Sequence, residues 1–130
     1  VTWTVYESSL RRSILLSLTS EPLYQVDVEQ RLDLLNEQLN EEVERFVVLC
    51  VERAEAEAEY KRRYHRAILQ ATEGTVAQKE AVAFGRCADM FREWKITEAL
   101  ERATQQKLIA LRTQIESART ISANVRASGG

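Results

Sequence analysis

The four residues Thr72-Glu73-Gly74-Thr75 constrain this chain most, because they separate two long segments whose apolar residues both recur at helical spacing. Gly74 can adopt a left-handed backbone conformation at little cost, and helices often end at such a residue. Thr75 offers an N-cap hydroxyl and Gln78 follows three residues later, which completes a capping box for the next helix. A helix end that is followed at once by a helix start predicts a tight helical hairpin.

The segments on either side of the turn repeat apolar residues every three or four positions, which is the spacing of one helix face. We expect the first helix to run from about Val28 to Thr72 and the second from Thr75 to near Ala123. The stripe predicted for the first helix is Leu32, Leu35, Leu39, Val43, Phe46, Cys50, Tyr60, Tyr64, Ala67 and Ala71. The stripe predicted for the second is Ala77, Ala81, Phe84, Ala88, Phe91, Ala99, Ala103, Leu108, Leu111, Ile115 and Ala118. Helices of this length need a partner to cover their stripes, so we expect the two to pack against each other.

The two segments also differ in charge. Residues 27–72 carry 11 acidic and 7 basic side chains, whereas residues 75–126 carry 6 acidic and 9 basic ones. The acid-rich stretch 27–44 lies opposite the base-rich stretch 102–126 only when the helices are antiparallel. Ion pairs that flank a helix seam contribute little stability individually, but they select orientation and register. The charge pattern therefore favours an antiparallel pair.

The remaining parts of the chain are short. Apolar residues recur at helical spacing between about Val5 and Leu18, which predicts a short amphipathic helix. We divide the chain into an N-terminal helix and linker at 1–26, a helical hairpin at 27–126 and a disordered tail at 127–130. The predicted fold is all-α, with a short N-terminal helix followed by a long antiparallel two-helix coiled-coil hairpin.

Composition sets few further limits on function. The formal net charge of the 130 residues is -2, which gives no general attraction to nucleic acid or to a membrane surface. No apolar run approaches the roughly 20 residues of a transmembrane helix. The N-terminus lacks the basic-then-apolar order of a signal peptide. We therefore expect a cytoplasmic protein without membrane contact.

One stretch does not fit a seam between two helices. Residues 46–51 are apolar on every face of the helix, so they must be covered on every face. Either the N-terminal helix folds back over this region or a second copy of the chain covers it. We expect both: the N-terminal helix covers the open end of the hairpin, and a homodimer contact covers the middle. The predicted interface consists of Phe46, Val47, Val48, Val51, Trp94 and Ile96.

The sequence contains no catalytic or cofactor signature, because it has no Gly-rich phosphate loop, no G-x-S-x-G and no C-x-x-C. Its one histidine, His65, lies among basic residues, which disfavours a metal ion. The carboxylates at helical spacing lack an E-x-x-H partner, so we interpret them as a solvated or ion-paired face. Cys50 and Cys87 do not lie opposite each other in the predicted hairpin, so both are expected to be free thiols. We predict no enzyme activity, no metal and no cofactor.

Two groups of basic residues leave nucleic-acid binding open as an alternative. The first is interleaved with Tyr60 and Tyr64, and aromatic side chains beside basic ones can stack on the bases of a single strand. Pairing with the glutamates at 52–59, with the tyrosines in the helix seam, explains the same pattern. The second group is spaced by sevens on one helix face, and pairing with the acids of 27–44 explains it equally. The candidate nucleic-acid residues are Lys61, Arg62, Arg63 and Arg66 in the first group and Arg112, Arg119 and Arg126 in the second.

Three stretches carry a resemblance to a known group of proteins: 59–64 (EYKRRY), 73–80 (EGTVAQKE) and 108–115 (LIALRTQI). They resemble the Y-x-x-x-Y helix, E-G-T turn and late L-x-x-L-R-x-x-L helix of small helical-hairpin proteins encoded by tailed phages and prophages of actinobacteria. The resemblance covers about residues 55–120 and leaves the N-terminal third outside. It implies a phage origin, with the host-cell cytoplasm as location, and a connection with recombination and replication. No catalytic residue can be transferred from it.

Three functions follow from these predictions. The first is a non-enzymatic adaptor that acts through protein–protein contact, as a homo-oligomer with an unidentified protein partner. The second is an accessory of phage DNA recombination or replication that binds single-stranded nucleic acid. The third is a structural component of the phage particle. We take the first as the main prediction.

Overall fold

The structure of the protein, a computed structural model, describes residues 25–129. These residues form two α-helices and no strand: α1 comprises Gln25–Gln70 and α2 comprises Val76–Gly129. The expected all-α fold with two packed helices is therefore confirmed for this part of the chain. The predicted helix between about residues 5 and 18 lies outside the described residues. The prediction that the second helix ends near Ala123 is wrong. α2 continues to Gly129, through residues that were predicted to form a disordered tail.

The turn between the helices has the predicted chemistry. Gly74 has a φ of 102°, in the left-handed region that glycine adopts without a steric penalty. The backbone N–H of Thr75 donates to the Gln78 side-chain oxygen at 2.9 Å, and the backbone N–H of Gln78 donates to the Thr75 hydroxyl at 3.2 Å. Both bonds of the capping box are present, so Thr75 is confirmed as the N-cap of α2, whereas α1 ends at Gln70, two residues before the predicted end at Thr72.

The two helices divide into two compact units. The first, which we call the hairpin unit, comprises residues 35–115 and contains the turn. The second, the terminal unit, comprises among the described residues the start of α1 up to Leu34 and the end of α2 from Glu116.

In the hairpin unit, buried and half-buried residues recur in a regular alternation of three and four positions, which is the heptad pattern of a coiled coil. On α2 these residues are Ala83, Cys87, Met90, Trp94, Thr97, Glu101, Thr104, Leu108, Leu111 and Ile115. On α1 they include Leu35, Leu39, Glu42, Phe46, Leu49, Arg53, Ala56 and Tyr60. The seam is apolar near Leu108 and Leu111 and mixed near Arg53 and Glu101.

This seam corrects part of the predicted stripes. On α1, Val43 is 39% exposed and the neighbouring Glu42 takes the seam position instead. On α2, most of the predicted stripe before Leu108 is wrong, because the side chains assigned to it are exposed. The exposed residues are Ala77, Ala81, Phe84, Ala88, Ala99 and Ala103. Alanine favours a helix on any face, so its spacing carries little information about burial.

The terminal unit is held by small and polar contacts. Val28, Ala118 and Ser122 are buried there. The Gln25 side-chain amide donates to the Ser122 hydroxyl at 3.3 Å, which joins the first turn of α1 to α2. No helix within residues 25–129 has an apolar stretch long enough to span a bilayer.

Candidate interaction surfaces of the hairpin unit

An apolar patch lies on the surface of α1. It consists of Val43, Val47, Val48 and Val51, and we call it the valine patch. The last three side chains are 52–57% exposed. Residues four apart lie on neighbouring turns of the same helix face, so these valines form one continuous surface. Single exposed apolar residues are common on protein surfaces, whereas adjacent ones are candidates for an interaction site.

The structure separates the six predicted interface residues into two sets. Val47, Val48, Val51 and Ile96 are exposed, as an interface residue must be in a single chain. Phe46 and Trp94 are half-buried and occupy seam positions between α1 and α2. The sequence did not distinguish these sets, because a run that is apolar on all faces does not show which face is covered inside the chain.

Leu100 is an exposed apolar residue of α2 that was absent from the predicted interface. It is 45% exposed and lies one helical turn after Ile96. The spacing of four between these two residues was the available signal in the sequence.

Aromatic side chains form a cluster where α1 meets α2. The Tyr60 ring lies 5.3 Å from the Phe91 ring and 5.6 Å from the Trp94 ring, between centroids. Tyr64 stacks on Tyr60 at 5.7 Å. The ammonium group of Lys95 lies 4.2 Å from the Trp94 ring centroid, a cation–π distance. The packing supports the interpretation of both tyrosines as seam residues, and it leaves Tyr60 unavailable for stacking on a nucleic-acid base.

Burial affects the polar groups of two side chains in this cluster, the Tyr60 hydroxyl and the Trp94 indole N–H. Burial raises the pKa of the Tyr60 hydroxyl, because the ionised form would lose its hydration. The Trp94 indole N–H is buried and finds no acceptor among the described residues. A buried donor without an acceptor is unfavourable, so this layer owes its stability to ring packing.

A charged layer crosses the seam next to the aromatic cluster. The Arg53 guanidinium donates to Glu101 on α2 at 2.6 Å and to Glu57 on its own helix at 2.9 Å. Loss of hydration, followed by the nearby Glu101 carboxylate, raises the pKa of the Cys50 thiol. A second link between the helices joins the Lys107 ammonium to Glu42 at 2.7 Å. Arg53 and Glu57, which interrupt the apolar stripe in the sequence, are thus part of the helix contact.

Two charged grooves lie along the hairpin unit, and Met90 lines both. The acidic groove is lined by Glu52, Glu55, Ala56, Glu59, Met90, Glu93 and Thr97. The basic groove is lined by Arg63, Arg66, Ala67, Gln70, Arg86, Cys87 and Met90. Each groove takes residues from both helices, so the two grooves meet at Met90 as one surface with opposite charges on its two sides.

The first nucleic-acid candidate group is largely ion-paired. Lys61 binds Glu57 at 2.8 Å, and Arg62 and Arg63 both bind Glu59, at 2.7 and 2.8 Å. Hydrogen bonds, from Lys61 to Glu57 and from Arg63 to Glu59, lower the pKa of both carboxyl groups. These pairs support the predicted pairing with the glutamates at 52–59.

The other nucleic-acid candidates are exposed. Arg66 and Arg112 make no ion pair with another described residue of the hairpin unit. In the terminal unit, Arg126 lies 3.7 Å from Glu29, and Arg119 makes no ion pair with a described residue. The expected pairing of the second group with the acids of 27–44 is therefore present at Arg126 alone among the described residues.

The described part of the chain contains no candidate metal site and no disulfide. Residues 25–129 contain no group of histidine, cysteine and carboxylate side chains arranged to hold a metal ion. Cys50 and Cys87 are both free, as the hairpin register predicted, and Cys87 is buried. The described features define a helical-hairpin protein with a coiled-coil-like seam, an exposed valine patch and a surface with two oppositely charged grooves.

Comparison with protein families, with curated proteins and with solved structures found no match for this chain. The phage resemblance of the sequence, the absence of enzyme activity and the cytoplasmic location therefore stay predictions.

Proposed function

We propose that this chain is a non-enzymatic helical-hairpin protein that acts through protein–protein contact, and that its first partner is a second copy of itself. The observation that supports this proposal is the valine patch, since Val47, Val48 and Val51 are each more than half exposed on adjacent turns of α1. On α2, Ile96 and Leu100 are further exposed apolar side chains.

A second copy is a suitable cover for such a surface. Two helices share one seam, so the remaining faces of each helix stay in water, whereas a bundle of four helices has an interior that takes side chains from several faces. Covering one exposed valine contributes about 1 kcal/mol, and a symmetric contact counts each valine twice. Association of two hairpins is the simplest arrangement that removes this apolar surface from water.

Sedimentation velocity at micromolar protein concentrations tests the proposal. We expect the wild-type chain to sediment as a dimer and Val48→Glu to shift the population toward monomer, because a carboxylate in a covered apolar surface loses its hydration. Val26→Glu is the matched control, since Val26 is 61% exposed and belongs to the terminal unit, not to the valine patch. Circular dichroism of both variants establishes that the helices are retained.

Two results would reject self-association. One is a wild-type chain that stays monomeric at every concentration tested. The other is a folded Val48→Glu variant with the same sedimentation as wild type. A control variant that dissociates as readily as Val48→Glu would assign the effect to added charge in general.

Binding of single-stranded nucleic acid is a second candidate, and the basic groove is the observation that favours it. Arg63 and Arg66 come from α1 and Arg86 comes from α2, so three guanidinium groups line one surface. Contacts of this kind to phosphates release counterions, so affinity for a labelled oligonucleotide should fall steeply as salt rises. Absence of binding at low salt would remove this candidate.

A further inference from the structure

We infer that the second copy docks antiparallel on the grooved face of the hairpin unit, with a two-fold axis at Met90, so that the acidic groove of each copy contacts the basic groove of the other. This inference rests on the proposed self-association and adds its location, direction and specificity.

On α2, the charges are placed symmetrically about Met90. Arg86 precedes Met90 by four residues and Glu93 follows it by three, so they lie about 6 Å and about 4.5 Å from it along the helix axis. A two-fold axis at Met90 exchanges these two sides. Arg86 of one copy then lies level with Glu93 of the other, and the converse pair forms at the same time.

On α1, a second pair of charges has the same symmetry. Tyr60 marks the level of the axis on this helix, because its ring packs on Phe91, the residue after Met90, at 5.3 Å. Glu55 precedes Tyr60 by five residues and Arg66 follows it by six. The antiparallel copy therefore brings Glu55 level with Arg66 within one residue. The charges on α1 and the charges on α2 thus place the two-fold axis at the same level.

The four side chains that would pair across this axis have no ion-pair partner among the described residues of their own copy. Glu55, Glu93, Arg66 and Arg86 make no ion pair with another described residue, whereas the neighbouring Glu59 is bound to arginines of its own helix. Pairing across the axis would give each of the four an opposite charge. Such pairs select the partner and its orientation more than they add affinity.

Apolar residues follow the same symmetry. Val51 precedes Tyr60 by nine residues and Leu69 follows it by nine, and both are exposed, Leu69 at 83%. The antiparallel copy brings Val51 of one hairpin level with Leu69 of the other along the helix axis. At the axis Met90 meets Met90, and methionine packs well in a symmetric contact because its side chain is flexible.

A charge-exchange experiment tests the docking face. The basic variant is Glu55→Arg/Glu93→Arg, and the acidic variant is Arg66→Glu/Arg86→Glu. Each variant alone places like charges in both halves of the contact, so its dimer dissociation constant should rise by at least about tenfold over wild type. An equimolar mixture should restore dimers, because each variant is complementary to the other but not to itself. Arg112→Glu, an exposed arginine outside both grooves, is the control and should leave dimerisation unchanged.

The outcomes separate this inference from the proposed function. If both variants dimerise like wild type while Val48→Glu dissociates, the docking face is wrong and self-association stands. If each variant dissociates and the mixture stays monomeric, the charges do not face each other and the antiparallel placement is wrong. If the acidic variant loses oligonucleotide binding without any change in mass, the basic groove binds nucleic acid and the inference fails.

A cross-link provides a second test that does not depend on charge reversal. In a Cys50→Ser/Cys87→Ser background, Met90→Cys places one thiol on the axis of each copy. Mild oxidation with copper phenanthroline should then give a disulfide-linked dimer, because the two-fold axis places the two thiols opposite each other. Absence of that dimer, from a chain that still self-associates, would overturn the placement.

Discussion

Gly74 is the position where one added methyl group should cost the hairpin most. Its φ of 102° lies in the left-handed region, which costs an L-residue about 1–2 kcal/mol. A Cβ at this position would lie 2.7 Å from the Gln78 side-chain oxygen, the atom that accepts the Thr75 N–H. The carboxamide must move away, so one bond of the capping box is lost at a cost of about 0.5 kcal/mol or more. Gly74→Ala should therefore lower the free energy of unfolding by about 2 kcal/mol.

Urea unfolding followed by circular dichroism measures this difference, with every variant at one protein concentration because self-association also stabilises the fold. Gly85→Ala is the matched control. Gly85 lies inside α2 and nothing lies within 4 Å of a Cβ added there. Alanine is a better helix former than glycine, so this control should raise the free energy of unfolding by about 0.5–1 kcal/mol. The same substitution thus has opposite signs at the two positions.

A double-mutant cycle with Gln78→Ala isolates the steric part. In the Gln78→Ala background the carboxamide is absent, so Gly74→Ala should cost less than it does in the wild-type chain. An unchanged free energy of unfolding in Gly74→Ala, or a loss of equal size in both backgrounds, would refute the corresponding part of the reasoning.

Three further outcomes are expected. Leu108→Ala should destabilise by about 2–3 kcal/mol and the neighbouring Ile109→Ala by less than about 1 kcal/mol, because their side chains are 7% and 50% exposed; equal losses in urea unfolding would contradict the seam. Hydrogen bonds from basic side chains lower the pKa of Glu57 and Glu59, so their contribution to stability is present above the ordinary value of 4.5 and is lost as pH falls below it; an acid titration of the melting temperature measures this, and a flat profile there would contradict it. Because loss of hydration raises the pKa of Cys50, iodoacetamide should alkylate it more slowly than a free thiol at mildly alkaline pH in a variant without the other cysteine; an equal rate would contradict that pKa direction.

The turn was predictable because its chemistry is local. Gly74, Thr75 and Gln78 lie within five consecutive positions, and each has a preference that does not depend on distant contacts. The same holds for the apolar end of the α2 seam, where Leu108 and Leu111 stand at heptad spacing and are buried as expected.

The mixed part of the seam was not predictable from apolar spacing. Thr97, Glu101 and Thr104 precede Leu108 in the same alternation of three and four, but apolar spacing favours the exposed alanines beside them. Heptad steps back from Leu108 reach Glu101, and heptad steps back from Leu111 reach Thr104 and Thr97. The burial of Glu101 depends on Arg53, which is far away in the sequence, and no local signal reports that contact.

The candidate surfaces were likewise predictable only where the signal is local in the sequence. Val47, Val48 and Val51 were identified because consecutive apolar residues cannot all face one partner helix. The basic groove was found only in part, since Arg86 joins Arg66 through packing of α1 on α2 and not through sequence proximity.

The contact between Arg53 and Glu101 restricts how the helices of the hairpin unit can slide. A repeat of seven residues fits its partner equally well after a displacement of seven, so the periodicity alone accepts several alignments. Displacing α2 by seven residues would put Trp94 or Leu108 where Glu101 now accepts the guanidinium at 2.6 Å. A guanidinium with no acceptor from the opposite helix disfavours both displaced forms. Deleting one whole heptad from α2 between Glu101 and the turn keeps the seven-residue repeat of the seam. It should still destabilise the hairpin, because Glu101 would then no longer lie opposite Arg53.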